Sequence, residues 1–261
     1  MSDAVRVYGN GRSGAAYTDR LRQQGYQVAV YDRDGDAVVC VDGEDSAPAT
    51  VAILALPRGT DSPLALAAIE PRHVDRVVDL TTQSPELARR NADCWAGRGG
   101  RSYQAGGSNG GERAVLAGES YLLIGPRSDD AVWRVLRDIG HVTEFDTAEY
   151  AVTLKLSHNA FLIVENELAR HLVQFCRRRG IARQHLEKVV DDGPAGRRFG
   201  DLTAVRHLKG GYETSYVGEY AAKDWRHFQD LLEPDELDLF GFVDADAVQR
   251  RLEERGRQPW V

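Results

Sequence analysis

Residues 4–34, AVRVYGNGRSGAAYTDRLRQQGYQVAVYDRD, decide the fold. Ala4 to Tyr8 alternates like a strand and runs into Gly9-Asn10-Gly11-Arg12-Ser13-Gly14. Ala15 to Gln24 then reads as a helix closed by Gly25, and Gln27 to Tyr31 as a second strand ending in Asp32. Strand, G-x-G-x-x-G, helix, strand, acid is the order of a dinucleotide-binding unit. The glycines allow a tight turn and close backbone approach, and the helix N-terminus presents amides to a pyrophosphate. Asp32 lies 21 residues past Gly11, where a carboxylate can bond both ribose hydroxyls. That carboxylate repels a 2′-phosphate and favours NAD, whereas the adjacent Arg33 can hold such a phosphate, so NADP is the alternative.

Working outward, strands are expected at Val38 to Val41, Val51 to Leu56, Val74 to Leu80, Tyr121 to Ile124 and His141 to Phe145. Helices are expected at Leu64 to Ile69, at Glu86 to Trp95 behind a Ser84 cap, and at Asp130 to Ile139. This alternation indicates a parallel, doubly wound α/β sheet. The segment between Asp32 and Val51 leaves little room for a crossover helix. Residues 97–111 read as a glycine-rich loop.

From Asp146 to Gly180 more than thirty residues pass without glycine or proline. Asp146 and Glu149 suggest a capping box, and Gly180 a left-handed helix stop. Leu154, Phe161, Leu162, Leu168, Leu172 and Phe175 recur near a 3.6-residue period. Into this helix break Lys155, His158 and Asn159, with Lys155 and Asn159 four apart on one face. Beyond it strand patterns cease. Arg183 to Asp191, Leu202 to Leu208, the segment around Ala222-Lys223-Asp224-Trp225 and Ala245 to Arg255 all read as helical. The expected division is a dinucleotide-binding domain, 1–146, and an all-helical domain, 147–261, for substrate and dimerisation.

Bulk properties narrow the function. A net charge of −7 without a basic block argues against a nucleic-acid partner. Three scattered cysteines suggest a reduced, cytoplasmic setting, and neither a signal peptide nor a membrane span is expected. The histidines show no metal-ligand spacing, so no metal is expected. Only Lys155, Lys188, Lys209 and Lys223 among 33 basic residues are lysines, which makes a lysine in an apolar helix less ordinary.

The order GxGxxG, strand-Leu56-Pro57, Thr81-Thr82-x-x-Pro85, a Ser/Gly-rich segment, Lys155-x-x-His158-Asn159 and then Lys223-Asp224 resembles the β-hydroxyacid dehydrogenase superfamily. That group includes the 3-hydroxyisobutyrate, tartronate-semialdehyde and 6-phosphogluconate dehydrogenases. The resemblance covers residues 4 to 232 and implies an NAD(P)-dependent oxidoreductase acting on a small carboxylate-bearing hydroxy or oxo acid. By position it implies that Lys155 is the general acid/base and that Asn159, with His158 beside it, contacts substrate. Ser108, Gly110 and Gly111 resemble the loop that holds the substrate carboxylate, and consecutive amides there form an anion nest. Leu56, Pro57 and Thr82 resemble segments lining the nicotinamide, and Lys223 one that reaches the cofactor. A long helix of this kind suggests a homodimer.

The chain departs from the family where Gln104, Gly106 and Gly107 replace its Asp-x-Pro-Val, and Asn109 reads as an insertion. The His158-Asn159 pair is closest to the 6-phosphogluconate branch, which makes oxidative decarboxylation an alternative. A nucleotide sensor whose chemistry has lapsed is another. Imine reductases, related in fold, generally lack a lysine at the position of Lys155.

Overall fold

The computed structural model describes residues 3–35, 37–43, 48–127, 129–192 and 219–232. The helices expected at 202–208 and 245–255 lie outside them. Two compact units divide at Lys155/Leu156.

The first unit is built on one eight-stranded sheet. Its strands are β1 (Ala4–Tyr8), β2 (Gln27–Asp34), β3 (Ala37–Asp42), β4 (Val51–Leu54), β5 (Arg76–Asp79), β6 (Ser102–Asn109), β7 (Ser120–Gly125) and β8 (Gly140–Glu144). They lie in the order β3-β2-β1-β4-β5-β6-β7-β8. Helix α1 (Arg12–Gln23) joins β1 to β2; α2 (Ser62–Ala68), α3 (Pro85–Gly97), α4 (Gly111–Ala117) and α5 (Asp130–Ile139) follow in turn. Chain direction places β2 on one side of β1 and β4 on the other, so the strand order reverses at β1. Ligands of open α/β sheets bind outside the carboxyl ends of the strands at such a point.

The sheet is predominantly parallel, as expected, with two antiparallel pairings. β3 runs antiparallel to β2, as a hairpin turning through Gly35 at φ +60°; a two-residue connection can build only an antiparallel neighbour. The passage read as a glycine-rich loop is strand β6 from Ser102 to Asn109, antiparallel to β7. Glycine lacks the side chain that favours strands, yet the flanking strands supply the hydrogen bonds, and tertiary pairing overrides propensity.

Valines and isoleucines of β1, β2, β4, β5 and β7 pack with Tyr17 and Leu21 of α1, Val115 of α4, and Val132, Val135 and Leu136 of α5. Each fully buried aliphatic side chain there contributes about 1.5–3 kcal/mol. Ser84 Oγ accepts from Leu87 N, capping α3 as expected, and Asp129 Oδ1 accepts from Val132 N at the start of α5.

The long helix α6 spans Ala148–Arg178, about 46 Å at 1.5 Å per residue. Its observed cap is Thr147, whose Oγ1 accepts from Tyr150 N, in place of the expected Asp146/Glu149 box. Gly180 ends it in the left-handed region at φ +69°, as expected. The buried stripe differs from the periodicity expected. Ala148, Ala151, Val152, Lys155, Leu156, Asn159, Ala160 and Ile163 are buried, whereas Phe161 and Phe175 are exposed. Of the three polar residues that interrupt the pattern, Lys155 and Asn159 lie in this buried stripe and His158 is exposed. The second unit contains the rest of α6 with α7 (Arg183–Asp192) and α8 (Glu219–Gln229).

Candidate active site

In register, Tyr8 lies beside Leu54, Leu54 beside Asp79, and Asp79 beside Ala105. The expected site segments of the first unit leave the sheet at or just past this line. They are 9–14 after β1, Asp32 in β2, Leu56-Pro57 after β4, Thr81-Thr82 after β5 and the tip of β6.

The first turn of α1 is open. α3, α5 and α6 each begin with a side-chain cap and an acidic residue in the first turn. α1 has Gly11 at its N-cap, no side-chain cap bond and no acid in its first turn. A helix start of this kind can place its first-turn amides and the positive end of its dipole against an anion. A Cβ on Gly14 would stand 1.8 Å from Gly9 O, and one on Gly9 2.4 Å from Ala55 O. At Gly11 a Cβ would meet nothing within 4 Å. Two glycines are thus demanded by the protein's own packing, and the third faces room for a phosphate group. Arg12 and Ser13 are exposed beside it.

Asp32 is tied to this turn: its Oδ2 accepts from Asn10 N at 3.0 Å and its Oδ1 from Arg33 N at 2.7 Å. The Arg33 Nε donates to Gly35 O.

Leu56 is half-buried and Pro57 exposed, and Leu56 N donates to Thr81 Oγ1 at 3.0 Å. Thr81 is buried, and its own N donates to Asp79 Oδ1. Thr82, the residue expected here, is half-buried, and its carbonyl lies against Gly59. Behind Thr81 stands a polar cluster invisible to sequence reasoning. Tyr103 Oη donates to Asp79 Oδ2 at 2.9 Å, and Asn91 Nδ2 donates to Gln83 Oε1. Burial pushes the Asp79 carboxyl up, against the bonds from Ser62, Thr81 and Tyr103. The one signal for it was an aspartate set among Val77, Val78 and Leu80.

Lys155 is 5% exposed. Its Nζ donates to Ser108 O at 2.7 Å and to Asn109 Oδ1 at 2.5 Å. The stem lies flat on β6 because position 107 is glycine: a Cβ there would be 2.6 Å from Lys155 Cγ and 2.9 Å from its Cε. Pleating places Gly107 and Asn109 on this face and Ser108 on the other. The structure therefore brings the carbonyl of Ser108 to Lys155 and turns its hydroxyl away. Ser120 Oγ donates to Asn109 O at 3.0 Å, so its one proton is committed and Ser108 Oγ must donate to it across 2.7 Å. Burial pushes the phenol of Tyr17, on α1, up to about 12. Gly110 and Gly111 follow, both exposed and left-handed at φ +102° and +69°.

In the second unit, Asn159 is buried and its Nδ2 donates to Asp224 Oδ2 at 2.9 Å. Lys223 Nζ is 3.6 Å from Asp224 Oδ1. His158 is exposed, with Nδ1 3.5 Å from Asn159 Oδ1. Burial lowers His227, as does the charge of Lys223, against Asp224 and Asp230. Asp224, which sequence reasoning left without a role, ties α8 to Asn159. Among the described residues no cluster of three or more metal-binding side chains occurs.

No protein-family model and no curated protein matches the chain. Solved structures do match. One is a Mycobacterium tuberculosis 3-hydroxyisobutyrate dehydrogenase with L-serine, at 18% identity and TM-score 0.70, covering 97% of this chain and 94% of that one. Psf3 in complex with NADP+ and 2-OPP gives 19% identity and TM-score 0.72 over 97% of this chain and 95% of its own. A reductive aminase from Aspergillus terreus, in complex with NADPH and ethyl levulinate, gives 20% identity and TM-score 0.63 over 97% and 95%. At these identities the likeness speaks for the fold: the chain has the α/β fold, a Rossmann-type sheet followed by helices, found in these dehydrogenases and reductases.

Proposed function

We propose that the chain is an NAD(P)-dependent oxidoreductase that moves a hydride between nicotinamide and the CH–OH or C=O carbon of a carboxylate-bearing acid. The observation that carries this reading is the buried Lys155 amine at the tip of β6, in the unit whose α1 presents an uncapped N-terminus. A bound dinucleotide would supply the hydride acceptor or donor. Gly9 to Gly14 would hold its pyrophosphate and Asp32 its ribose, with NAD preferred over NADP on the charge of Asp32. Leu56, Pro57, Thr82 and Lys223 would flank the nicotinamide.

Lys155 does the proton work. In the oxidation direction its neutral amine takes the hydroxyl proton as hydride leaves the carbon; in reduction its ammonium returns a proton to the forming alkoxide. The amides of Gly110 and Gly111 would take the substrate carboxylate, with Asn159 and His158 one turn along α6. The neighbours bound to NADP+, NADPH and L-serine support this reading.

Lys155→Met should leave NADH and NADPH binding, followed by fluorescence titration, within about twofold. Turnover of 3-hydroxyisobutyrate and related acids should fall by about 10²–10⁴, the range of one acid/base group. Near-wild-type turnover in the variant would sink the assignment. Release of carbon dioxide would favour the decarboxylase reading that the His158-Asn159 pair supports. A homodimer is proposed from the exposed Tyr150, Phe161 and Phe175 on α6, and light scattering after size exclusion tests it.

A further inference from the structure

We infer that the Asn109 carboxamide is a positioning residue for Lys155, a second arm of the site in which the side chain of position 109 does what the hydroxyl of Ser108 cannot. This rests on the reading of Lys155 as the proton-transfer group. Ser108 Oγ lies on the face of β6 opposite Lys155 and is bonded to Ser120. On the Lys155 face the polar side chain that meets the amine is Asn109, through Oδ1.

The orientation of that amide follows from chemistry. An ammonium only donates, so the carboxamide must turn its oxygen to Nζ, which directs Nδ2 away from the amine. The backbone of Asn109 is fixed independently, because its carbonyl accepts from Ser120 Oγ at 3.0 Å. The glycine at 107 lets the lysine stem lie low enough to reach it. Asn109 is thereby held at both its main chain and its side chain, and Lys155 with it. A residue that reads as an insertion in the sequence is a fixed part of the site in the structure.

The test uses the scarcity of lysine. With 15N-labelled lysine, the protein has four side-chain amines to resolve, and Lys155→Met identifies the signal of Lys155. Exchange of its ammonium protons with water is measured by NMR at fixed pH and low temperature in the wild type, Asn109→Leu and Asn109→Asp. Removing the acceptor in Asn109→Leu should speed exchange about tenfold, the scale of one hydrogen bond to a charged group. Asn109→Asp keeps an acceptor oxygen and should restore slow exchange, which a merely structural role for the residue would not. Exchange in Asn109→Leu within about twofold of the wild type would overturn the inference. Where exchange responds as expected but the wild type turns over none of the acids tested, the Asn109 contact stands and the reading of Lys155 as a catalytic group fails.

Discussion

Gly107→Ala tests how far the lysine depends on the strand beneath it. Gly107 is not left-handed, so alanine brings no backbone strain, and its only new feature is the methyl group. That methyl would stand 2.6, 2.7 and 2.9 Å from Lys155 Cγ, Cδ and Cε. Carbon atoms settle near 3.5 Å or beyond, so the stem must withdraw by about 0.9 Å. A matching displacement of Nζ would stretch its contacts with Ser108 O and Asn109 Oδ1 to roughly 3.4–3.6 Å, past useful hydrogen bonding. A displacement near 1 Å costs about 10²-fold in rate where geometry limits the chemistry. Overpacking of this kind costs about 1–3 kcal/mol of stability, a few degrees to about ten in Tm for a chain of this size. Stopped-flow single turnover reads the first effect and a thermal melt followed by circular dichroism the second. The double variant Gly107→Ala/Lys155→Met should be no slower than Lys155→Met alone, because the two changes act through one side chain. Wild-type single-turnover rates in Gly107→Ala, or additive losses in the double variant, would refute the reasoning.

Two further outcomes follow from other parts of the first unit. Asp32→Ser removes the charge that would repel a 2′-phosphate and also loosens Asn10. The ratio of NADPH to NADH affinity should rise about tenfold in a fluorescence titration, and an unchanged ratio would remove Asp32 from cofactor choice. Burial raises Tyr17 to about 12, so the folded state favours its neutral form. The stability this gives is complete below pH 10 and is lost as pH climbs through about 12. Tyr17→Phe should flatten the fall of unfolding free energy across that window by on the order of 2–3 kcal/mol, and urea titrations at pH 8, 10 and 11 would show parallel curves if the phenol plays no part.

The start of the first unit was legible because its signals are local. The strand at 4–8, the glycine turn at 9–14 and the second strand through Asp32 are each specified over a few residues, and the structure has them in that order. Pairing direction was not legible at β3, because a short connection was noticed without its consequence, an antiparallel hairpin. The strand through Gly106-Gly107-Ser108-Asn109 was hidden because its order comes from β7 and from Lys155, both distant in sequence. Once that segment is a strand, parity separates Ser108 from Asn109, and a one-residue choice decides which side chain meets the lysine. Two adjacent threonines are told apart only by the buried Asp79, whose carboxylate accepts from Thr81 N. Along α6 Phe161 and Phe175 are exposed, while Ala148, Ala151 and Ala160 join Val152, Leu156 and Ile163 in the buried stripe, and alanine carries little weight in a hydrophobic pattern.

The bare middle of β6 also sets where this molecule can change. Gly106 and Gly107 have neighbours pressed onto the space a side chain would take, from β7 on one side and from the Lys155 stem on the other. Laboratory evolution of substrate preference should find almost no tolerated alleles at these two positions. Tyr121, exposed and paired with Asn109 across β6 and β7, has room to vary. A library directed there should leave the contacts of Lys155 with Ser108 and Asn109 in place.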